Sequence, residues 1–444
     1  MNQPPANAAP TQARFVVLAG LCVAAALSYV SRNAIGVAES TVRADLGLSK
    51  DQTGWLMSAF FLSYALCQIP GAWVGERFGA RRALPAFAIV WSIATAATAL
   101  GSFAGLLAMR VVKGVAQAGL FPVSTGVIAK WFPSTGRGFA VGAHGSFMSV
   151  GGAVGASLTG WLVSEVGWRW MFILYSLPGP LWAIWFWWWF RETPREHGSV
   201  NAGELELLGV VRKPEGAKPQ DPRPPRSPAR FWLQILTSPA MWCICGQQLF
   251  RGAGYVFFTS WFATYLQEAR GVTIVKSGFL TMLPLLAVVA GSLVGGWVSD
   301  AVLRRTGSRR LARQGIAGIS LGLCSALTLS AYFFADPLAA VLVISIGSFF
   351  AGVAGPCAYA ITIDMGGEHV PTVNSVMNMA GNFGAMLSPV VVPWLLRATE
   401  SWNQVLFCFG MVYFVSALLW WMLKSEGSVF DQALARPNPK GFNP

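Results

Sequence analysis

The chain has 444 residues, of which 54% are hydrophobic and only 11% charged, against about 25% charged in an ordinary soluble domain. A water-soluble fold is excluded. Net charge is +13, but the cations sit in short segments between long apolar runs, so the positive balance reads as membrane topology and gives no case for nucleic acid.

Residues 1–13 form a polar, Pro-rich tail. The first apolar run after it is longer than the apolar region of a secretory signal and is read as a membrane helix. Further runs follow, each near the about 20 residues that a helix needs to cross a bilayer. The predicted spans are 14–38, 54–75, 84–103, 105–130, 138–163 and 170–190, then 240–266, 278–299, 314–334, 337–362, 372–396 and 402–424. Between the sixth and seventh lies 191–239, charged and rich in Pro, which reads as a mostly irregular linker with one short helix at Ala202–Val210. Residues 425–444 form a second tail. The organisation 14–190, linker, 240–424 describes a tandem duplication: an all-α integral membrane protein of twelve transmembrane helices in two six-helix, pseudo-symmetric halves.

With both termini inside, Lys and Arg crowd the cytoplasmic segments, and only Arg43, Lys50, Arg169, Arg270, Lys276 and Arg397 fall outside. That asymmetry sets the orientation of a multi-pass membrane protein. All seven cysteines lie in apolar runs with no disulfide or metal spacing, so no metal and no cofactor are expected. The aromatic run Trp182–Phe190 reads as an interfacial belt.

Four cations remain inside the spans: Arg32 in the first, Arg110 and Lys113 in the fourth, Arg251 in the seventh. No acid lies mid-span; Glu39 is at the outer end of the first and Asp364 near the inner end of the tenth. Intramembrane cations are costly and face a cavity or a partner, or snorkel to the interface. With no acid to pair with them, a bound anion is the natural counter-charge. Ser28 and Tyr29 share a helix face with Arg32, and Lys113 shares one with Arg110, although its long stem also permits a backbone carbonyl as partner. Tyr255 lies one turn from Arg251. In the eleventh span Asn374, Asn378 and Asn382 form an amide stripe that can bind hydroxyls or join helices. Tyr64, Gln68, Ser146 and Ser149 are further polar candidates.

Two loops repeat one signal. GAWVGERFGARR carries Glu76 and Arg77 after the second span; GGWVSDAVLRRTGSRR carries Asp300 and Arg304 after the eighth. An acid beside basic clusters at helix ends can latch neighbouring helices in one state and release them in another.

These loops resemble the signature of the major facilitator superfamily. The stretches SYVSRNAIGVA, SYALCQIPGAWVGERFG, AGLFPVSTGVIAKWFP, GWRWMFIL and NAGEL resemble its anion:cation symporter family. The resemblance implies the major facilitator fold, alternating access, and a small organic anion such as a sugar acid as substrate. It implies that Tyr29 and Arg32 contact the substrate carboxylate, and it favours Asn378 or Asn382 in the site. Two positions depart from the family pattern. Ser31 stands where an aspartate precedes the arginine, and Gln117 where a glutamate follows Arg110 by seven residues. Neither titrates near neutrality, so the proton machinery of symporting relatives is missing, leaving His144, Glu39 and Asp364 as residual proton-coupling candidates. Sodium or a counter-anion are the other coupling partners expected. Against this carrier stand an enzyme, for which no nucleophile–base pair appears, a non-transporting sensor of the same fold, a multidrug exporter, whose cationic drugs would call for acids in the cavity, and carriers of other anions such as phosphate esters, aromatic acids or dicarboxylates. A monomer is expected.

Overall fold

A computed structural model describes residues 9–133, 137–208, 228–366 and 370–423. The remainder of the linker and of both tails, and His369, lie outside the described residues. Sixteen α-helices are described: α1 Ala13–Leu46, α2 Lys50–Phe78, α3 Ala80–Ala97, α4 Phe103–Ala118, α5 Leu120–Trp131, α6 Arg137–Ser176, α7 Pro178–Trp189, α8 Ala202–Leu207, α9 Pro228–Thr237, α10 Pro239–Ser260, α11 Phe262–Arg270, α12 Ile274–Thr306, α13 Ile316–Ser330, α14 Pro337–Gly366, α15 Val370–Thr399 and α16 Trp402–Met422.

Local chemistry sets the breaks. Gly47, left-handed at φ 61, ends α1, and Ser49 opens α2 through a reciprocal capping box with Gln52. Gly167, at φ 79 and ψ 162, interrupts α6 and divides the fifth span from the sixth. The fourth span is α4 and α5, joined at Gly119, and the seventh is α10 and α11, joined at Trp261. Counting α4 with α5, α10 with α11 and the part of α6 after Gly167 with α7 as single spans gives the twelve crossings the sequence predicts.

The helices pack as two units. Described residues within Met1–Ala217 and Phe258–Leu285 form one; those within Lys218–Phe257 and Leu286–Pro444 form the other. The linker alone does not mark the division, because the C-terminal part of the seventh span and the start of the eighth pack with the first six. Glycines permit this: a Cβ on Gly36 of α1 would stand 2.1 Å from the Thr259 carbonyl oxygen, and one on Gly278 of α12 would stand 2.7 Å from that of Ala156 in α6.

The first unit's core joins Leu21, Leu84, Trp131, Phe186 and Phe190. The aromatic run at 182–190 divides by helix face: Trp182, Phe186 and Phe190 are buried, while Trp187 and Trp188 are exposed. Half of the expected belt is therefore core. His197, just beyond, packs against Trp189 with ring centroids 4.4 Å apart, and burial holds its imidazole below the usual histidine value.

The start of the linker has a defined task. Glu204, fully buried in α8, accepts from the backbone N–H of Ala13 at 3.3 Å and of Arg14 at 3.2 Å, and from Arg14 Nη1 at 3.0 Å. It caps the N-terminus of α1 from about 190 residues away, where a carboxylate is favoured. Glu204→Ala removes charge-assisted bonds and strands the α1 N–H groups, a loss of about 2–3 kcal/mol. We expect a lower thermal midpoint and faster protease cleavage of the linker in the purified variant; an unchanged digestion pattern would contradict this role.

Candidate substrate site

Helix α4 carries Arg110, Lys113 and Gln117 on one face, and all three side chains reach the backbone of α1. Lys113 Nζ donates to the Ser31 carbonyl at 2.6 Å, Arg110 Nη1 to that of Arg32 at 3.2 Å, and Gln117 Nε2 to that of Ser28 at 3.1 Å. Arg110 Nε also donates to the Leu56 carbonyl of α2 at 3.0 Å. A carbonyl has two lone pairs, so these bonds add to the helical ladder without replacing it. Arg110 and Lys113, 4% and 2% exposed, thus fasten α1 to α2 and α4. They meet backbone in the structure, where the sequence offered an anion as their counter-charge.

Arg32 is held differently. Its Nε donates to Gln117 Oε1 at 3.0 Å. Because Gln117 Nε2 is committed to Ser28, the amide is oriented and its oxygen faces the guanidinium. The rings of Tyr29, Phe60 and Tyr64 surround Arg32 Cζ at 4.1, 4.8 and 4.7 Å from their centroids. Each such contact contributes about 0.5–2 kcal/mol. Phe60, fully buried, serves Arg110 as well, at 4.8 Å. Among the described residues, the terminal nitrogens of Arg32 make no hydrogen bond, and they are not among the sealed polar atoms. One edge is left open, with two N–H groups in the fork that matches a carboxylate. No carboxylate among the described residues pairs with Arg32, Arg110 or Lys113.

In the second unit, Arg251 on α10 is half-buried, and its Nε donates to Gln248 Oε1 at 3.1 Å. In the eleventh-span stripe, Asn382 Nδ2 donates to the Asn378 carbonyl at 3.1 Å, and Asn374 Oδ1 is buried without a partner. Tyr255 is half-buried on α10. In the first unit, Ser146 and Ser149 are half-buried on α6.

The expected paired latches are only half present. Asp300 Oδ1 lies 3.1 Å from Arg313 Nη1, and Arg313 Nε lies 3.7 Å from Asp364 Oδ2. Arg313, not Arg304, is the partner, because Arg304 points to the exposed side of α12. Glu76 and Arg77 are exposed and form no ion pair among the described residues. In that half Glu192 does the bridging, accepting from the Arg81 N–H at 2.7 Å and standing 3.7 Å from Lys130 Nζ.

Of the residual proton candidates, Asp364 thus stands beside Arg313, and the other two are also placed. His144 is fully buried on α6, stacked on Phe121 at 5.8 Å, with neither ring nitrogen well hydrogen-bonded. Glu39 is fully buried and saturated by Arg43 Nε at 2.8 Å, Thr53 Oγ1 at 2.8 Å and Thr264 Oγ1 at 2.9 Å. It fastens α1 to α2 and to α11.

Sequence reasoning missed Phe60 and Gln248. The available signals were faint: Phe60 lies four residues before Tyr64, and Gln248 three before Arg251, each on the same helix face.

The model of the Major Facilitator Superfamily matches residues 21–324 and 305–444. The chain is 31% identical over 408 residues to the "Probable sulfoacetate transporter SauU" of Cupriavidus necator, covering 91% of this chain and 92% of that one. It is 30% identical over 404 residues to the D-galactonate transporter of Escherichia coli O6:H1, with 88% and 92% covered. Among solved structures, a bacterial homologue of the human lysosomal transporter Spinster, inward-facing and unoccupied, superposes with a TM-score of 0.75 at 20% identity, over 97% of this chain and 99% of that one. That last likeness concerns the fold.

Proposed function

The chain belongs to the Major Facilitator Superfamily, as a multi-pass membrane transporter, and from that premise we propose that it carries a small organic anion by alternating access, with Arg32 as the anion-binding group. The observation that carries this reading is the open edge of Arg32: a buried guanidinium oriented by a neutral amide, faced by three rings, and left with two free donors. An uncompensated buried cation costs several kcal/mol, and an arriving anion offsets that cost. Sulfoacetate and galactonate, the substrates named for two relatives, both bear an acid group of this kind. Arg110 and Lys113 add to the local positive field and hold the α1 carbonyls that set the pose of Arg32. Tyr29, Tyr64 and Ser149, in the same unit as Arg32, supply further polar contacts. The protein is placed in a bacterial inner membrane with both termini cytoplasmic and acts as a monomer.

The test is uptake of labelled organic anions into proteoliposomes, with neutral sugars and cationic drugs as controls. Saturable anion uptake that the controls do not compete supports the reading; transport of cations alone would overturn it.

The Asp300–Arg313 pair, near the cytoplasmic end of α12, is the gating element of this proposal. Asp300→Asn leaves Arg313, among the described residues, with Asp364 at 3.7 Å as its one acid. We expect slower net transport and altered labelling of cysteines introduced on the cytoplasmic side, with substrate affinity kept within about threefold, since an exposed pair contributes under 1 kcal/mol. Normal rates and labelling would remove Asp300 from the gate.

A further inference from the structure

The loop between α12 and α13 carries positive charge that its surroundings leave uncompensated. Arg304 and Arg305 close α12, the left-handed Gly307 at φ 66 turns the chain, and Arg309 and Arg310 open the helical stretch that leads into α13. All four are exposed, and among the described residues none forms an ion pair or a side-chain hydrogen bond. The acids that α12 and α14 bring to this end, Asp300 and Asp364, both stand against Arg313. Other cations near helix ends are met by the protein: Arg14 by Glu204, Lys130 by Glu192, and Arg191 by the carbonyls of Trp188, Trp189 and Phe190.

Helix stability accounts for only half of the four. Arg304 and Arg305 suit the negative C-terminal end of α12, but Arg309 and Arg310 sit at the N-terminal end of the next helical stretch, where cations are disfavoured. Four like charges within seven positions also repel one another. An anion from outside the protein relieves both costs.

The loop also continues a surface made for hydrocarbon. Leu293 and Trp297 are exposed one turn apart on α12, and Arg304 and Arg305 extend that face seven and eight positions beyond Trp297. Leu311, next to Arg310, is exposed as well. An apolar strip that ends in a basic cluster has the polarity profile of a phospholipid, and a basic cluster directly after a membrane helix attracts anionic lipid.

We propose that the loop 304–310 binds the headgroup of an anionic phospholipid, whose acyl chain lies along Leu293 and Trp297. The phosphate is received by the guanidiniums, each of which offers two parallel N–H donors. Every residue of this site belongs to the second unit.

The experiment is native mass spectrometry of the purified full chain in an equal mixture of phosphatidylglycerol and phosphatidylcholine with identical chains. Wild type is expected to hold phosphatidylglycerol over phosphatidylcholine by about tenfold or more in its most tightly retained lipid. With Arg304, Arg305, Arg309 and Arg310 all changed to Gln, the two lipids should be retained within about twofold of each other. Arg309→Gln combined with Arg310→Gln, which relieves the helix N-terminus, should lower the preference by at least about threefold and serves if the fourfold variant does not fold. Equal retention of both lipids by wild type, or a preference that survives in the folded variant, overturns the site. So does its loss in Arg77→Gln with Arg82→Gln, the exposed arginines of the matching loop in the first unit. Displacement of the retained phosphatidylglycerol by inorganic phosphate would assign the loop to free anions and overturn the lipid. No transport is measured, so the carrier reading stands or falls separately.

Discussion

Arg32→Ala is expected to reduce substrate affinity by about 100-fold or more, close to 3 kcal/mol, because a bidentate charge-assisted contact is lost at a buried site. The truncation also empties the space among Tyr29, Phe60 and Tyr64, so Arg32→Met, which refills it without charge, separates binding from packing. Both should lose binding; Arg32→Lys should recover only part of it, since an ammonium cannot reproduce the planar fork. Arg110→Ala should fail in a different way. Its nitrogens hold the Leu56 and Arg32 carbonyls in a site only 4% exposed, so removal leaves a cavity and loosens α4 from α1 and α2, and less folded protein should reach the membrane. Full affinity in Arg32→Met would end the case for this residue.

The second large effect concerns coupling. Ser31 donates its hydroxyl to the Ser28 carbonyl at 3.0 Å, and Gln117 spends both ends of its amide, so neither position can take up or release a proton. Glu39 is bonded on both oxygens by Arg43, Thr53 and Thr264. We therefore expect imposed pH gradients to change uptake by less than about twofold, while membrane potential changes it strongly: each uncompensated negative charge moving inward works against about 2.3 kcal/mol per 100 mV. A counter-anion or sodium is the expected compensation. Gln117→Glu is the informative variant. A carboxylate 3.0 Å from Arg32 Nε would compete with the substrate for that guanidinium, and affinity at neutral pH should fall by about tenfold or more. Uptake that is dominated by the proton gradient in wild type, and lost in His144→Ala or Glu39→Gln, would show that the proton site has moved to one of those residues.

Much of the fold was legible because membrane crossing leaves a coarse signal: long apolar runs, a charged linker and cations crowded on one side. The breaks at Gly119 and Trp261 were not, since an apolar run reads the same whether its helix is continuous or jointed. Arg32 and Arg251 stood out as charges where charges are costly. Their settings did not. Phe60 looks like any membrane phenylalanine until its ring is found 4.8 Å from two guanidiniums, and Gln248 looks like helix glue until its oxygen meets Arg251. Lys113, whose stem suits an anion or a carbonyl equally in the sequence, takes the Ser31 carbonyl. The latch acids show how far a repeat can mislead. Glu76 and Asp300 occupy matching loops, yet only Asp300 is paired, while Glu192, outside the repeated loop, bridges Arg81 and Lys130 in the first half. Partners from distant segments, Glu204 of α8 at the N-terminus of α1 above all, are set by packing and leave no trace at either position alone.

The most direct measurement of the central claim is counterflow in proteoliposomes. Vesicles holding wild type or Arg32→Met would be preloaded with one unlabelled organic anion from a panel and diluted into trace label of the same compound. Transient accumulation of label with wild type for at least one anion, absent with Arg32→Met at equal protein incorporation, is the predicted result. Counterflow of equal size in both proteins, or counterflow confined to cationic or neutral compounds, would contradict an anion carrier built around Arg32.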